Sequence, residues 1–209
     1  ERTGAVAFIE QQEAEEPGRY IGFDQSQRAI AHGHRVLYRY QFASPETVEL
    51  LVNNRGTLHG LEDAQGYNPV QPRRFVEFLT ALNGHPQEYH DANIYPAGFT
   101  SPLLDLLNIR YVVIPAEIPD DRNDLQTLSR QLPTIYADDE VRVLENRQAV
   151  PQAWIVHEAR QVARGDALPL LANGQVDPLR TALLETTPPE LAPANDPSVD
   201  QVTMTAQSP

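Results

Sequence analysis

Six histidines and 29 acidic residues are the groups in this 209-residue chain that could hold a metal or move a proton. His32 and His34 form His-Gly-His, a spacing that sets two imidazoles on one side of an extended strand, where they could share a divalent cation. No third ligand is placed by the sequence, and a polar turn about Gly33 is the simpler account of the pair. His85 and His90 flank Pro86 in a tyrosine-containing loop, a setting that favours solvent exposure. His157-Glu158 opens like the helix of a zinc protease, but Gln161 stands where the second histidine would be needed. Asp120, Asp121, Asn123 and Asp124 gather hard oxygen ligands ahead of a helix. They lack the glycine and distal glutamate of the calcium loop, and first-turn carboxylates facing a helix N-terminus explain them at lower cost. No cysteine occurs, so thiolate zinc sites, disulfides and cysteine nucleophiles are excluded. Neither a Gly-x-Ser-x-Gly elbow, a phosphate loop nor a dinucleotide glycine fingerprint is present. Tyr38, Tyr40, Tyr67, Tyr89 and Tyr95 could stack on sugar faces, although core packing is the commoner use of such rings.

The charge balance narrows the partners. All 16 basic residues are arginine, and 29 acidic residues leave a formal charge of −13. No basic patch or aromatic-spaced basic stripe appears, so neither nucleic acid nor an anionic membrane surface is an expected partner. A spanning helix needs about 20 predominantly apolar residues, and the best apolar stretch, Leu103 to Ile114, is cut by Asp105, Asn108 and Arg110. The chain opens at Glu1 without an initiator methionine and has Met204 as its one methionine, which reads as a piece cut from a longer protein.

These side chains must be positioned by a handful of elements. Thr3 to Glu16 carries Val6, Phe8 and Ile9 in a partly amphipathic helical pattern closed by Pro17-Gly18, and Arg19 to Phe23 then alternates as a strand. Ser44-Pro45-Glu46 reads as a helix start ahead of Val48, Leu50, Leu51 and Val52. From Asn53 to Pro72 three glycines and two prolines break any periodicity, which predicts an irregular, ordered loop of a length that often carries function. Pro72 begins a helix with Phe75, Phe78, Leu79 and Leu82 at helical spacing, and Asn83-Gly84 ends it. Ser101-Pro102 starts a short helix over Leu103 to Leu107. Ile109 to Ile114 is then an apolar, β-branched run without polar alternation, the signature of a central strand covered on both faces. Asp121 to Leu132 reads as a helix stopped by Pro133. Thr134–Ala137 and Glu140–Leu144 read as a hairpin turning at Asp138-Asp139. A strand is expected at Ala153 to Val156 or a little beyond, a weak helix at Ala167 to Leu171 and a strand at Thr181 to Leu184. Together these predict an α/β fold, a small mixed sheet flanked by helices, over residues 1–185. Residues 186–209 read as a proline-rich linker, with Val199 to Thr205 beginning a following β-rich segment.

Several segments, in order, resemble a bacterial family of multi-spanning membrane proteins, the YfhO-like proteins. Asn54 to Leu61, followed by Gly66-Tyr67-Asn68-Pro69, resembles the family's stretch leading into Gly-Tyr-Asp-Pro or Gly-Tyr-Ser-Pro. Leu103 to Val113 is similar to its helix-into-strand segment, Val141 to Asn146 through Pro151 to its strand ending in Glu-Asn before a proline, and Asp177 to Thr181 to a motif before its last strand. Asn68, Gln152 and Val176 depart from the family's usual residues. The order matches over most of residues 44 to 185.

The resemblance implies the extracytoplasmic domain of a polytopic protein similar to GT-C glycosyltransferases, which use lipid-phosphate-linked sugars as donors. On that reading the domain lies on the extracytoplasmic face of the bacterial cell membrane and partners the membrane-embedded part of the same protein. The catalytic acidic residue, and any divalent metal the parent needs, would sit outside this chain, which itself holds no cofactor and no catalytic residue. A lipid-linked sugar or a glycan acceptor is the implied ligand. If the chain contacts it, the residues expected to do so are in the loop Asn54 to Arg74: Asn54, His59 and Asn68, Tyr67 as a stacking platform, and Arg73 or Arg74 reaching a phosphate or carboxylate. A tight turn with a packed tyrosine is the plainer account of Gly66 to Pro69. The alternatives are an autonomous carbohydrate-binding or cell-envelope interaction module, and last a hydrolase, for which the sequence offers no nucleophile motif.

Overall fold

A computed structural model describes residues 2–23, 28–29, 36–37, 49–52, 54–67, 70–86, 91–120, 122–192 and 200–204, with the backbone alone at 28–29, 36–37, 67 and 91. The protein is mixed α/β, as its patterning predicts. Ten strands, β1 (Arg19–Gly22), β2 (Arg28–Ala29), β3 (Val36–Leu37), β4 (Gly66–Tyr67), β5 (Asp91–Ala92), β6 (Ile109–Pro115), β7 (Thr134–Ala137), β8 (Val141–Glu145), β9 (Glu158–Gln161) and β10 (Thr181–Leu184), are described. Four helices accompany them: α1 (Gly4–Glu15), α2 (Arg73–Asn83), α3 (Asn123–Gln131) and α4 (Ala167–Ala172).

The main sheet has the order β1-β6-β8-β7, with β1 parallel to β6 and the other pairs antiparallel. β6 is an inner strand, buried along almost its whole length. From Tyr111 onward its alternate residues enter two cores, which is why the run has no polar alternation. Tyr111 and Val113 meet Ala5, Val6 and Ile9 of α1 together with Leu50, Leu51, Val52 and Leu61. Ile109, Val112 and Ile114 meet Leu79 and Leu82 of α2, Leu125 and Leu128 of α3, and Leu103, Leu104 and Leu107. The Thr3 hydroxyl accepts from the Val6 N–H at 3.3 Å and caps α1. Pro72 and Gly84 bound α2, Gly84 in the left-handed region at φ 73°.

β9 and β10 form a separate parallel pair joined through α4, which lies against α2. The short ladders β2–β3 and β4–β5 are antiparallel.

Two expectations need correction. Leu103 to Leu107 is a turn leading into a 3₁₀ segment at Asp105–Leu107 rather than an α-helix, because Asn108 at φ 56° reverses the chain at once into β6. Ala153 to Val156 forms no strand. Its Trp154 indole N–H is held by the Pro178 carbonyl at 2.9 Å, and parallel pairing begins instead at Glu158, in a polar segment without β signature. Of the expected tail strand, residues 200–204 are described, without strand pairing, and 199 and 205 lie outside the described residues. Of the helix expected after Ser44-Pro45, residues 44–48 lie outside the described residues, Glu49 is helical, and 50–52 form a turn that buries Leu50, Leu51 and Val52. The helix expected from Asp121 begins at Asn123.

Candidate functional site

The Tyr20 phenol is one of the groups that fasten the loop from Asn54 to Gly66 to the sheet edge. Tyr20 leaves β1 into the α1 core and is fully buried. Its hydroxyl accepts from the Gly56 N–H at 2.9 Å and has the Leu51 carbonyl at 3.0 Å and Asp63 Oδ2 at 3.3 Å as acceptors for its one proton. A Cβ at Gly56 would collide with that ring, so only glycine admits the approach. Leu51, whose carbonyl is held, lies at φ 54°, a conformation leucine rarely adopts without such anchorage.

Asp63 is the second anchor. Its Oδ2 also accepts from the Asn54 N–H at 3.1 Å and its Oδ1 from the Gln65 N–H at 2.9 Å. Around it residues 62–64 run beside β1: the Tyr20 N–H donates to Glu62 O, and the Ala64 N–H to Tyr20 O, each at 3.0 Å. Burial pushes the Asp63 carboxyl up to about 7, against the three hydrogen bonds that pull it down. Burial, and then the neighbouring Asp63 charge, push the Tyr20 phenol well above its ordinary range. The Gln65 side chain bridges Gly22 O and the Ile94 N–H at 3.2 and 2.9 Å, tying the loop to the chain after β5.

Between this loop and the start of α2 lies a cleft of about 270 Å³. Asn54, Asp63 and Gly66 form one wall, and Gln71 and the half-buried Phe75 the other. The Asn54 amide rests against Gly66, where a Cβ would strike it. Gln71 Nε2 is buried and finds no hydrogen-bond acceptor.

Of the residues expected to contact a ligand, Asn54 lines this cleft. His59 closes the 3₁₀ turn Arg55–His59 and does not. Arg73 pairs with Glu77 and Arg74 with Glu185, each at 2.7 Å on exposed surface, and neither faces the cleft. Asn68 and the Tyr67 side chain lie outside the described residues. Sequence reasoning missed Tyr20, Asp63, Gln71 and Phe75. Gly56 and Gly66 were the available signal, since a glycine in an ordered loop marks a close approach, but they do not say of what.

The other candidates resolve locally. Asp124 receives a bidentate pair from the buried Arg122 at 2.9 and 2.8 Å, which holds its carboxyl below the usual range against the opposing effect of burial. Among the described residues no group of three His, Asp or Glu could hold a metal ion. His32, His34, His90, Asp121, Tyr38, Tyr40 and Tyr89 lie outside the described residues. Tyr95 is buried, its ring 4.5 Å from that of His85. His157 is bonded by Asp200 and Ala192. No helix among the described residues is long and apolar enough to cross a membrane. Compared with known proteins, the chain matches no family model, no curated protein and no solved structure.

Proposed function

We propose that this chain is a non-catalytic extracytoplasmic domain of a multi-spanning bacterial membrane protein resembling the GT-C glycosyltransferases, whose membrane part transfers sugar from a lipid-phosphate donor to a cell-envelope acceptor. The observation that carries the reading is the use made of the segments that bear the YfhO-like resemblance. Asn54 and Gly56 are bound into the Tyr20–Asp63 anchor. Asn146 donates to Asp105 Oδ1 and to Ile109 O at 2.9 and 3.1 Å, Asn108 donates to Val150 O at 2.6 Å, and Arg110 pairs with Glu145 at 3.2 Å. These bonds join strand to loop, a structural use of the segments, while Asn54 also lines the cleft beside the 54–66 loop. The domain's role is to brace the membrane helices and to present the 54–66 loop to a sugar-bearing ligand.

Two measurements test this. In the full-length gene, the reading frame ahead of Glu1 is expected to encode on the order of ten apolar spans of about 20 residues each. A start codon directly before Glu1 would overturn the proposal. So would turnover of a lipid-linked sugar by the isolated domain, where none is expected.

A second reading, a free-standing cell-envelope interaction module, is favoured by one observation: Trp154, Ile155 and Leu179 are large apolar side chains left exposed, with Trp154 bonded beside Leu179 at Pro178. Burial of Tyr95 counts against the tyrosine face that such a module would use.

A further inference from the structure

We infer that the cleft between the 54–66 loop and the start of α2 binds one uncharged polyhydroxylated ring, a single sugar residue, and not a phosphate. The inference rests on the reading of this loop as the ligand-facing part of the domain and names what it takes.

Buried polar atoms in folded proteins are almost always hydrogen-bonded, and Gln71 Nε2 is an exception on the cleft wall. Turning the amide over exchanges an unmet donor for an unmet acceptor, and a hydroxyl, being both, satisfies either. Across the cleft the Asn54 amide offers a donor and an acceptor, and the Asp63 carboxyl offers acceptor lone pairs. Adjacent hydroxyls on a ring can accept from Gln71 while donating to Asp63 or Asn54. Phe75 supplies an apolar surface for the C–H face of the same ring.

Charge excludes the alternative. A phosphate is anionic at neutral pH and would meet a carboxyl, with no cation among the described residues lining the cleft. Of the arginines neighbouring cleft residues in sequence, Arg55, Arg73 and Arg74, none lines the cleft, and Arg73 and Arg74 are engaged by Glu77 and Glu185. Size sets the number of rings, since 270 Å³ falls just under the roughly 300–1,000 Å³ of drug-sized sites.

The test is a titration of the ¹⁵N-labelled 209-residue chain with methyl glucoside, methyl galactoside and methyl N-acetylglucosaminide, beside inorganic phosphate and glycerol phosphate. At least one neutral glycoside is expected to move the Gln71 and Asn54 side-chain amides and the Gly66 N–H, and the anions to leave them in place. Gln71→Met keeps the shape and removes the amide, so it is expected to weaken binding about tenfold or more while leaving the urea midpoint unchanged or higher. Asn54→Gly, which keeps the left-handed backbone, is expected to weaken binding likewise. No shift with any glycoside, tighter binding of either anion, or loss of fold in Gln71→Met would overturn the inference. A silent cleft leaves the membrane-domain proposal standing, because the upstream reading frame decides that separately. Glycoside binding by a chain with no membrane-spanning parent would keep the site and remove the parent.

Discussion

Tyr20 shows how much one side chain can carry. Its hydroxyl is the common partner of the Gly56 N–H, the Leu51 carbonyl and Asp63, so a strand, a strained turn and a loop all converge on one oxygen. Tyr20→Phe keeps the ring and its packing but leaves a buried N–H and a buried carbonyl unmet. The expected cost is about 1–3 kcal/mol, read from urea denaturation, with amide exchange accelerating first at Gly56. An unchanged midpoint would mean that water replaces the phenol. A tyrosine in an alternating strand carries no mark of this duty, because its partner Asp63 is 43 positions away.

At the scale of elements, the junction of the 3₁₀ segment and β6 is the most demanding. Asn108 combines a left-handed backbone with a side-chain bond to Val150 O, and Asn146 from the end of β8 locks the same corner through Asp105 and Ile109. Two substitutions separate the two contributions. Asn108→Gly keeps the backbone and loses the hydrogen bond, whereas Asn108→Ala loses both. The alanine variant is therefore expected to be less stable than the glycine variant by about 1 kcal/mol or more in thermal unfolding. Equal stability would place the whole contribution in the side chain. The helix expected at 103–107 fails for the same reason: local spacing suggests a helix, but the corner must turn within three residues. α2, bounded by Pro72 and Gly84, has no such conflict between local signal and packing, and it forms where its sequence predicts.

Over the whole molecule the surplus of acid shapes the response to pH. Glu13 is pushed up to about 7 by burial and then by Glu62 and Glu10, and Asp63 by burial to about the same value. His157 is raised as well, by its bonds to Asp200 and to Ala192 O. Geometry explains the histidine: a carbonyl only accepts, so Nδ1 carries a proton, and Nε2, 2.8 Å from Asp200, does best carrying one too. Glu158, Arg160 and Asp177 line a surface cleft with His157, and Asp200 is the carboxylate in contact. For all three groups the folded state holds its proton more tightly than the unfolded chain. Their stabilisation is therefore complete below the unfolded values and lost as pH rises through the folded ones. Asp124 and Asp138, held low, withdraw support only on acidification below the ordinary carboxylate range. The urea midpoint is thus expected to be higher near pH 5 than near pH 8. His157 is expected to titrate in its ring NMR signals above the ordinary value of about 6.5, and Asp200→Asn to bring it down. A flat stability profile across that interval would refute this account of Glu13 and Asp63.

Read alone, the chain determined those features whose signal is local. The apolar run Ile109 to Ile114 specified a strand covered on both faces, proline and glycine bounded α2, and Asp138-Asp139 marked the hairpin, because each is a matter of backbone preference and periodicity over a few residues. Tertiary structure alone decided that Asn54, Asp63, Gln71 and Phe75 share a cleft, that Arg74 turns toward Glu185, and that the polar segment Glu158–Gln161 pairs with Thr181–Leu184. Those outcomes depend on which burial and which hydrogen bonds win between residues tens of positions apart, and composition and spacing do not encode that competition.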